Sequence, residues 1–298
     1  MVSGFWAEVV ARDFAVPTDR PLTDLTAELT RLLGAPDPRE RHEVAVAVLL
    51  TWIDRGVYDD LLPGLGDGIA RGLDVGLGEQ DTASVFRRSL CAVVLAACID
   101  RDSERPGGRD LLTADQVLGW GDRVMTWLLR ERDLRAFVPG QGLAHAVAHG
   151  ADALAALARS PRCGELELTV VLDVVADRVL TEAPQRFLGG EVDRLAEAVL
   201  HVLRRDLLGL DVLEPWVNRI AAEAVPVQRS LDEDPYLRPA DAQAFLRALH
   251  LQLALAPQPP AVRSDLLLVL IDALRRTNGA VLVDPGPEGA AASSGRHT

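Results

Sequence analysis

The sequence predicts an all-α protein built from stacked antiparallel helix pairs. Apolar residues recur at three- and four-residue spacing through most of the chain, and Gly, Pro and charged clusters separate the periodic segments. Aromatic residues make up only 4% of the chain. Leu, Val and Ala must therefore fill the core, which suits close helix packing better than a β-sandwich. Hydrophobic residues make up 48% of the 298 residues, which is enough to bury a substantial core.

The periodic segments predict about twelve helices. A capping box, Thr113-Ala-Asp-Gln116, marks the start of one helix, and Gly56 marks the end of another. The Val-rich segment 165–181 would also suit a strand, but its apolar spacing favours a helix. The predicted helices are 2–12, 23–33, 38–55, 66–76, 82–101, 113–131, 141–159, 165–181, 190–206, 214–225, 239–255 and 261–276.

A faint internal repeat indicates how these helices are arranged. Ile53-Asp54-Arg55 and Ile99-Asp100-Arg101 both end long apolar helices and lie 46 residues apart. This period is typical of HEAT and armadillo units, whose helix pairs stack into a right-handed solenoid. We therefore expect a single helical repeat domain over residues 1–281 and a disordered tail over residues 282–298, which are rich in Gly, Ala, Pro and Ser.

The net charge and the cysteines indicate the class of partner and the cellular compartment of the protein. The formal net charge of -13 disfavours nucleic acid and favours a protein or a small molecule as partner. Three cysteines, an odd number in apolar surroundings, are typical of a reducing compartment. No secretory signal is apparent, and no apolar run approaches the length of a membrane span. We expect a cytoplasmic protein without membrane contact, in an oligomeric state that the sequence leaves open.

Several familiar motifs are incomplete. Residues 64–68, Gly-Leu-Gly-Asp-Gly, follow no strand and precede no G-K-[ST], so we interpret them as a helix-breaking turn after Pro63 and not as a phosphate cradle. His42-Glu43 begins like a zinc-protease motif, but Val46 replaces the second histidine. The chain has no G-x-S-x-G elbow and no C-x-x-C pair.

One motif does carry chemistry. His145, His149 and Asp152 fall within an arc of roughly 60° on the predicted helix 141–159. We expect them to project together, opposite an apolar stripe formed by Leu143, Val147, Gly150, Leu154 and Leu157. The trio has the spacing of ligands for a divalent metal, and it also suits metal-free acid–base chemistry. A polar helix face that only bonds neighbouring loops is the third interpretation. No other cofactor is expected.

The charged loop before this helix is a second candidate. Pro139-Gly140 favours a tight turn that folds the loop back toward the start of the helix. Glu131, Asp133 and Arg135 would then join Gly142 as ligand-binding residues, or the loop is simply a connector held by ion pairs.

This stretch resembles a bacterial family known as domain of unknown function 2785. The resemblance covers about 25 residues, from the acidic Asp-Leu-Arg loop to a Gly and then His-x-x-Ala-His-x-x-Asp. Ala136 stands where the family pattern has Gly, and Leu143 stands where it has Trp, which puts any ligand site shaped by that Trp in doubt. The resemblance implies a single HEAT-like helical domain and no particular activity. The residues that carry it are Glu131, Asp133, Leu134, Arg135, Gly142, Ala144, His145, Ala148, His149, Asp152 and Leu154.

Two functions remain open. The first is a binding or scaffold module with a polar His/His/Asp face, favoured by the lack of any complete catalytic signature. The alternative is an enzyme, a hydrolase or an accessory enzyme of secondary metabolism, that uses His145, His149 and Asp152. A deep pocket beside that face containing Glu131 or Arg135 would favour the enzyme.

Overall fold

The computed structural model describes residues 4–104, 110–182, 185–227, 232, 234–278 and 282. These residues form twelve α-helices, a seven-residue π-helix, a 3₁₀ turn and one two-stranded hairpin. The elements in chain order are α1 Gly4–Ala11, α2 Leu22–Leu32, the π-helix Glu40–Val46, α3 Ala47–Asp54, α4 Leu62–Ala70, the 3₁₀ turn Arg71–Asp74, α5 Ser84–Ser103, α6 Ala114–Arg130, β1 Phe137–Val138, β2 Gly142–Leu143, α7 Ala146–Arg159, α8 Glu165–Leu180, α9 Glu191–Leu203, α10 Leu210–Glu223, α11 Ala240–Leu255 and α12 Arg263–Thr277.

The predicted all-α class and the helix count are confirmed. Thr113 caps α6 as expected, with its side chain accepting from Gln116 N and the Gln116 side chain accepting from Thr113 N. Gly56 follows α3 with φ +75°, a left-handed conformation that ends the helix at little steric cost. The Val-rich segment is helical, as its spacing indicated.

The predicted helix 141–159 begins five residues later than expected. Residues 137–143 form an antiparallel hairpin in which Val138 pairs with Gly142. Gly140 and Gly142 adopt φ of +73° and +88°, which an α-helix does not accommodate. Leu143 is therefore 46% exposed on the hairpin and does not belong to the apolar stripe of the helix.

The glycine-rich segment 64–68 also differs from the prediction. It is not a turn but the body of α4, with Pro63 in the first helical turn, where its missing N–H is harmless. The helix survives three glycines because Leu62, Leu65 and Ile69 are buried in the core.

Helices two places apart in the chain contact one another. Contacts run from α3 to α5, α7, α9 and α11 in turn, and separately from α4 to α6, α8, α10 and α12. The most extensive contacts join α7 to α5 and α9. Helix α7 is thus central, and 11 of its 14 residues are buried, most of them Ala. Small side chains allow helices to approach closely. The core around α7 is therefore filled mainly by closely packed helices and to a lesser extent by large aromatic side chains.

Two further sequence expectations concern the chain ends and membranes. Helices α11 and α12 pack against α9 and α10, so these two helices continue the helical body. The expected disordered tail 282–298 lies outside the described residues except for Leu282. In the described ranges, no helix combines the length and apolar character needed to cross a bilayer.

Candidate functional site

The charged loop and the hairpin determine where His145 lies. The backbone N–H of Ala144 donates to Ala136 O, and that of His145 donates to the carbonyls of Arg135 and Ala136. The loop therefore folds back onto the start of α7, as the Pro139-Gly140 turn predicted. His145 itself is the residue before α7, with φ 47° and ψ 37°. A non-glycine residue in this left-handed region is strained, a feature that clusters at functional sites.

His149 lies one helical turn later and is held by Ser89 of α5. Its Nδ1 is 2.6 Å from Ser89 Oγ. The serine hydroxyl has one hydrogen, which it donates to Ala144 O. Nδ1 must therefore donate to Ser89, so Nε2 of the neutral ring carries the lone pair. Burial first, and then the positive charge of His145, His42 and Arg194, lower the pKa of His149 to about 3.

His145 lies against the edge of His149. The two ring centroids are 5.9 Å apart and the planes are nearly perpendicular, at 88°. The other side of His145 contacts Gly189, where a Cβ atom would lie 2.8 Å from His145 Nε2 and 2.5 Å from Ala136 Cβ. Only glycine allows this approach, so the segment before α9 closes over His145.

Asp152 lies one turn beyond His149 but has a different partner. Its carboxylate is 31% exposed and 3.5 Å from Arg194 of α9. Burial raises the pKa of Asp152, and Arg194 acts in the opposite direction. The structure thus brings the rings of His145 and His149 together, while the partly exposed Asp152 pairs with Arg194.

Three polar groups that were not among the predicted site residues complete the site. The π-helix supplies Arg41 and His42, and the hairpin turn supplies Gln141. Arg41 donates to the carbonyls of Ala35, Pro36 and Gln141, which fastens the hairpin to the π-helix. His42 lies close enough to His149 for its charge to lower the pKa of His149. We refer to His42, Gln141, His145 and His149 as the histidine cluster.

The histidine cluster and the neighbouring Arg41 contain buried polar atoms without a hydrogen-bond partner. His42 Nε2, Gln141 Oε1 and Arg41 Nε are buried and have no hydrogen-bond partner among the described residues. Burial, followed by the charge of Arg41, lowers the pKa of His42. Buried polar groups are nearly always paired, so three unpaired atoms around one cluster of side chains are unusual. The π-helical backbone at Arg41 and His42 is also a geometry common at functional sites.

Glu131 and Asp133 have structural partners. The Glu131 carboxylate accepts from Arg88, Trp127 Nε1 and the backbone N–H groups of residues 132 and 133. Asp133 pairs with Arg135 at 2.6 Å, and Arg135 also donates to Thr82 O. Gly142 contributes its left-handed backbone to the hairpin. Of this predicted set, Arg135 contacts the histidine cluster through its backbone carbonyl, which accepts from His145 N–H, and Gly142 follows Gln141 in the hairpin.

A cavity of about 760 Å³ lies beside the charged loop. Glu131 lines it, but neither His145, His149 nor Asp152 does, so it is not the pocket that would have favoured the enzyme. Its walls are residues 77–80, 129–132 and 134, with Arg178, Thr181 and Glu182.

Within the described residues, no three His, Cys, Asp or Glu side chains are arranged to hold a metal ion. Ser89 occupies Nδ1 of His149 and leaves Nε2 free, and Arg194 pairs with Asp152.

Comparison with known proteins gives one match. A family model described as "Protein of unknown function (DUF2785)" matches residues 73–251, more than half of the chain. This range includes α5, α7, the charged loop and the hairpin, and it excludes the π-helix. No curated protein and no solved structure matches the chain.

Proposed function

The chain belongs to the DUF2785 family, and on that premise we propose that it is a binding protein whose histidine cluster receives a neutral polar group of its ligand. The observation that carries this proposal is the set of unpaired buried atoms, His42 Nε2, Gln141 Oε1 and Arg41 Nε. Leaving such atoms unpaired costs about 1–3 kcal/mol each. A ligand that pairs them recovers that free energy on binding.

The chemistry of the cluster selects the ligand group. His149 Nε2 and Gln141 Oε1 accept hydrogen bonds, and Arg41 Nε donates one. Burial is the main cause of the lowered pKa values of His42 and His149, and the charges of Arg41 and Arg194 act in the same direction. The same positive potential disfavours a cationic ligand and a divalent metal. A hydroxyl or carboxamide group, which both donates and accepts without charge, fits best.

Binding accounts for the geometry better than catalysis does. Ser89 is 0% exposed and its hydroxyl is committed to Ala144 O, so it is not available as a nucleophile. A histidine whose pKa is about 3 is a weak base near neutral pH, because general bases work best with a pKa near the working pH. Asp152 pairs with Arg194 and orients neither imidazole.

We also propose that the helices form a HEAT-like right-handed solenoid. The successive contacts between helices two places apart support this arrangement. The faint sequence repeat has a structural counterpart as well. Arg55 binds Asp13 and Arg101 binds Asp59, and each aspartate lies 42 residues before its arginine. These two ion pairs of equal spacing support the assignment of the two arginines to consecutive repeats.

The partner and the compartment belong to the same proposal. An acidic chain whose histidine cluster takes a neutral polar group favours a small molecule, or a polar side chain of a partner protein, over nucleic acid. The three cysteines are buried and free, which supports a reducing, cytoplasmic location.

The test is a thermal-shift screen of neutral polyols, amides and nucleosides, followed by calorimetric titration of each compound that binds. We expect His149→Asn and Gln141→Ala to weaken binding at least tenfold, about 1.4 kcal/mol. Asn retains a donor at the position of Nδ1, so the bond to Ser89 and the fold persist in the first variant. His250→Asn, on α11 and outside the cluster, is the control and should bind like wild type.

Three outcomes would contradict the proposal. Binding that is equally tight in both variants would remove the histidine cluster from recognition. Conversion of a bound compound into product would establish the enzyme alternative. About one equivalent of zinc, iron or manganese in the purified protein, lost in His149→Ala, would establish a metal site.

A further inference from the structure

A second cavity lies between α2 and α4. Its volume is about 520 Å³. Cβ atoms built at Gly64 and Gly68 would have no neighbour within 4 Å, so the glycines leave the α4 side of this cavity open. Gly66, by contrast, contacts Trp120 on the core side of the helix. The lining residues are Thr23, Thr26, Ala27, Thr30, Arg31, Tyr58, Leu61, Gly64, Leu65, Gly68 and Arg87.

Arg87 of α5 is unusual among the arginines of this chain. It is only partly exposed, and its Nε is buried without a hydrogen-bond partner. Every other described arginine that is not exposed forms a hydrogen bond or an ion pair with the chain, and Arg87 forms neither. Its aliphatic stem packs on Gly34, where a Cβ atom would lie 3.3 Å from Arg87 Cδ.

The charge of the cavity is opposite to that of the whole chain. Arg31 lines the same cavity and has no ion pair in the described part of the chain, although it acts electrostatically on Glu28, which pairs with Arg20. Among the described residues, no Asp or Glu lines the cavity, while the chain as a whole carries a net charge of -13. Leu61, Leu65 and Ala27 provide an apolar wall beside the two guanidinium groups.

We propose that this cavity binds a small amphipathic anion, with its head group on Arg87 and Arg31 and a short apolar tail along α4. An unpaired guanidinium in partly desolvated surroundings is stabilised by a carboxylate that accepts a forked pair of hydrogen bonds. The apolar wall supplies the remaining affinity. This site is independent of the histidine cluster and does not rest on the function proposed for it.

The probes are octanoate, octanol and inorganic phosphate, titrated into the full chain by calorimetry. We expect octanoate to bind, octanol to bind at least tenfold more weakly, and phosphate to show no binding at the same concentration. Equal affinity for octanol would overturn the anion site, because only the apolar wall would then be used. Equal affinity for phosphate would overturn the role of the tail.

Two variants test the named residues. Arg87→Met retains the packed stem without the charge, and it should raise the Kd of octanoate at least tenfold without lowering the Tm. Gly68→Leu should fill the cavity and abolish binding, while the added helix propensity preserves the Tm.

The controls are Arg71→Met, an exposed arginine outside the cavity, and His149→Asn in the histidine cluster. Both should bind octanoate like wild type. Unchanged octanoate affinity in Arg87→Met and Gly68→Leu would overturn the proposal, whatever the outcome at the histidine cluster.

Discussion

At the scale of single residues, Ser89 decides the chemistry of the histidine cluster. Its one hydroxyl hydrogen is committed to Ala144 O, so it can only accept from His149 Nδ1. The tautomer of His149 follows from this arrangement, and its Nε2 becomes a hydrogen-bond acceptor. A neutral, oriented imidazole beside the strained His145 is thus built by a residue 60 positions away in the chain.

The depressed pKa of His149 predicts how stability depends on pH. The unfolded ring titrates near 6.5 and the folded ring near 3, so between these values the unfolded state binds more protons. The contribution of His149 is complete above pH 6.5 and is lost as the pH falls toward 3. Between pH 7 and pH 4 we expect wild type to lose about 1–4 kcal/mol more than His149→Asn in urea unfolding. Equal losses in the two proteins would contradict the buried neutral ring.

At the scale of elements, one buried ion pair joins α5, α6 and the charged loop. Arg88 and Glu131 are both 0% exposed and 2.6 Å apart. Arg88 also donates to Val75 O, Gly76 O and Ser84 Oγ. The nitrogen atoms of the Arg88 side chain and the oxygen atoms of the Glu131 side chain all form hydrogen bonds. These bonds fix the direction in which the loop leaves α6, and so they place the hairpin against the π-helix.

Removal of Glu131 should therefore be strongly destabilising. Glu131→Leu leaves Arg88 as an unpaired buried cation and deprives Trp127 Nε1 of its acceptor. We expect a loss of about 3–5 kcal/mol in the free energy of unfolding, measured by denaturant titration. Glu165→Leu, at the exposed start of α8, should change it by less than about 1 kcal/mol. A loss as small as that of the control would mean that the loop is not held by this pair.

At the scale of the whole molecule, stability should vary along the stack of helices. Helix α7 is contacted on two sides by α5 and α9, whereas α1 and α12 lie at the ends of the contact pattern. Stacked helix pairs gain stability mainly from nearest neighbours, so the ends open more readily than the centre.

Hydrogen exchange measures this gradient directly. We expect the amides of α7 to exchange most slowly, those of α5 and α9 next, and those of α1 and α12 most rapidly. A single exchange rate for all core amides would indicate one cooperative unit and would count against the solenoid arrangement.

The family membership and the helices were accessible from local sequence patterns. The spacing of apolar residues located twelve helices, and the capping box of Thr113 located the start of α6 to within a residue. The motif around His145 and His149 indicated the family that the comparison confirmed. The errors occurred at glycines, which are compatible with several backbone conformations: Gly142 belongs to a hairpin and Gly64 belongs to a helix.

The sequence by itself determined the helical class, the order of the helices and the pair of histidines one turn apart, because these depend on neighbours within one element. Only the tertiary structure decided which polar groups are satisfied. Gln141 meets Arg41 across 100 residues, and His149 meets Ser89 across 60. Whether His42, Gln141 or Arg87 retains an unpaired atom depends on how separate helices pack, and such long-range pairings leave no periodic signal in the sequence.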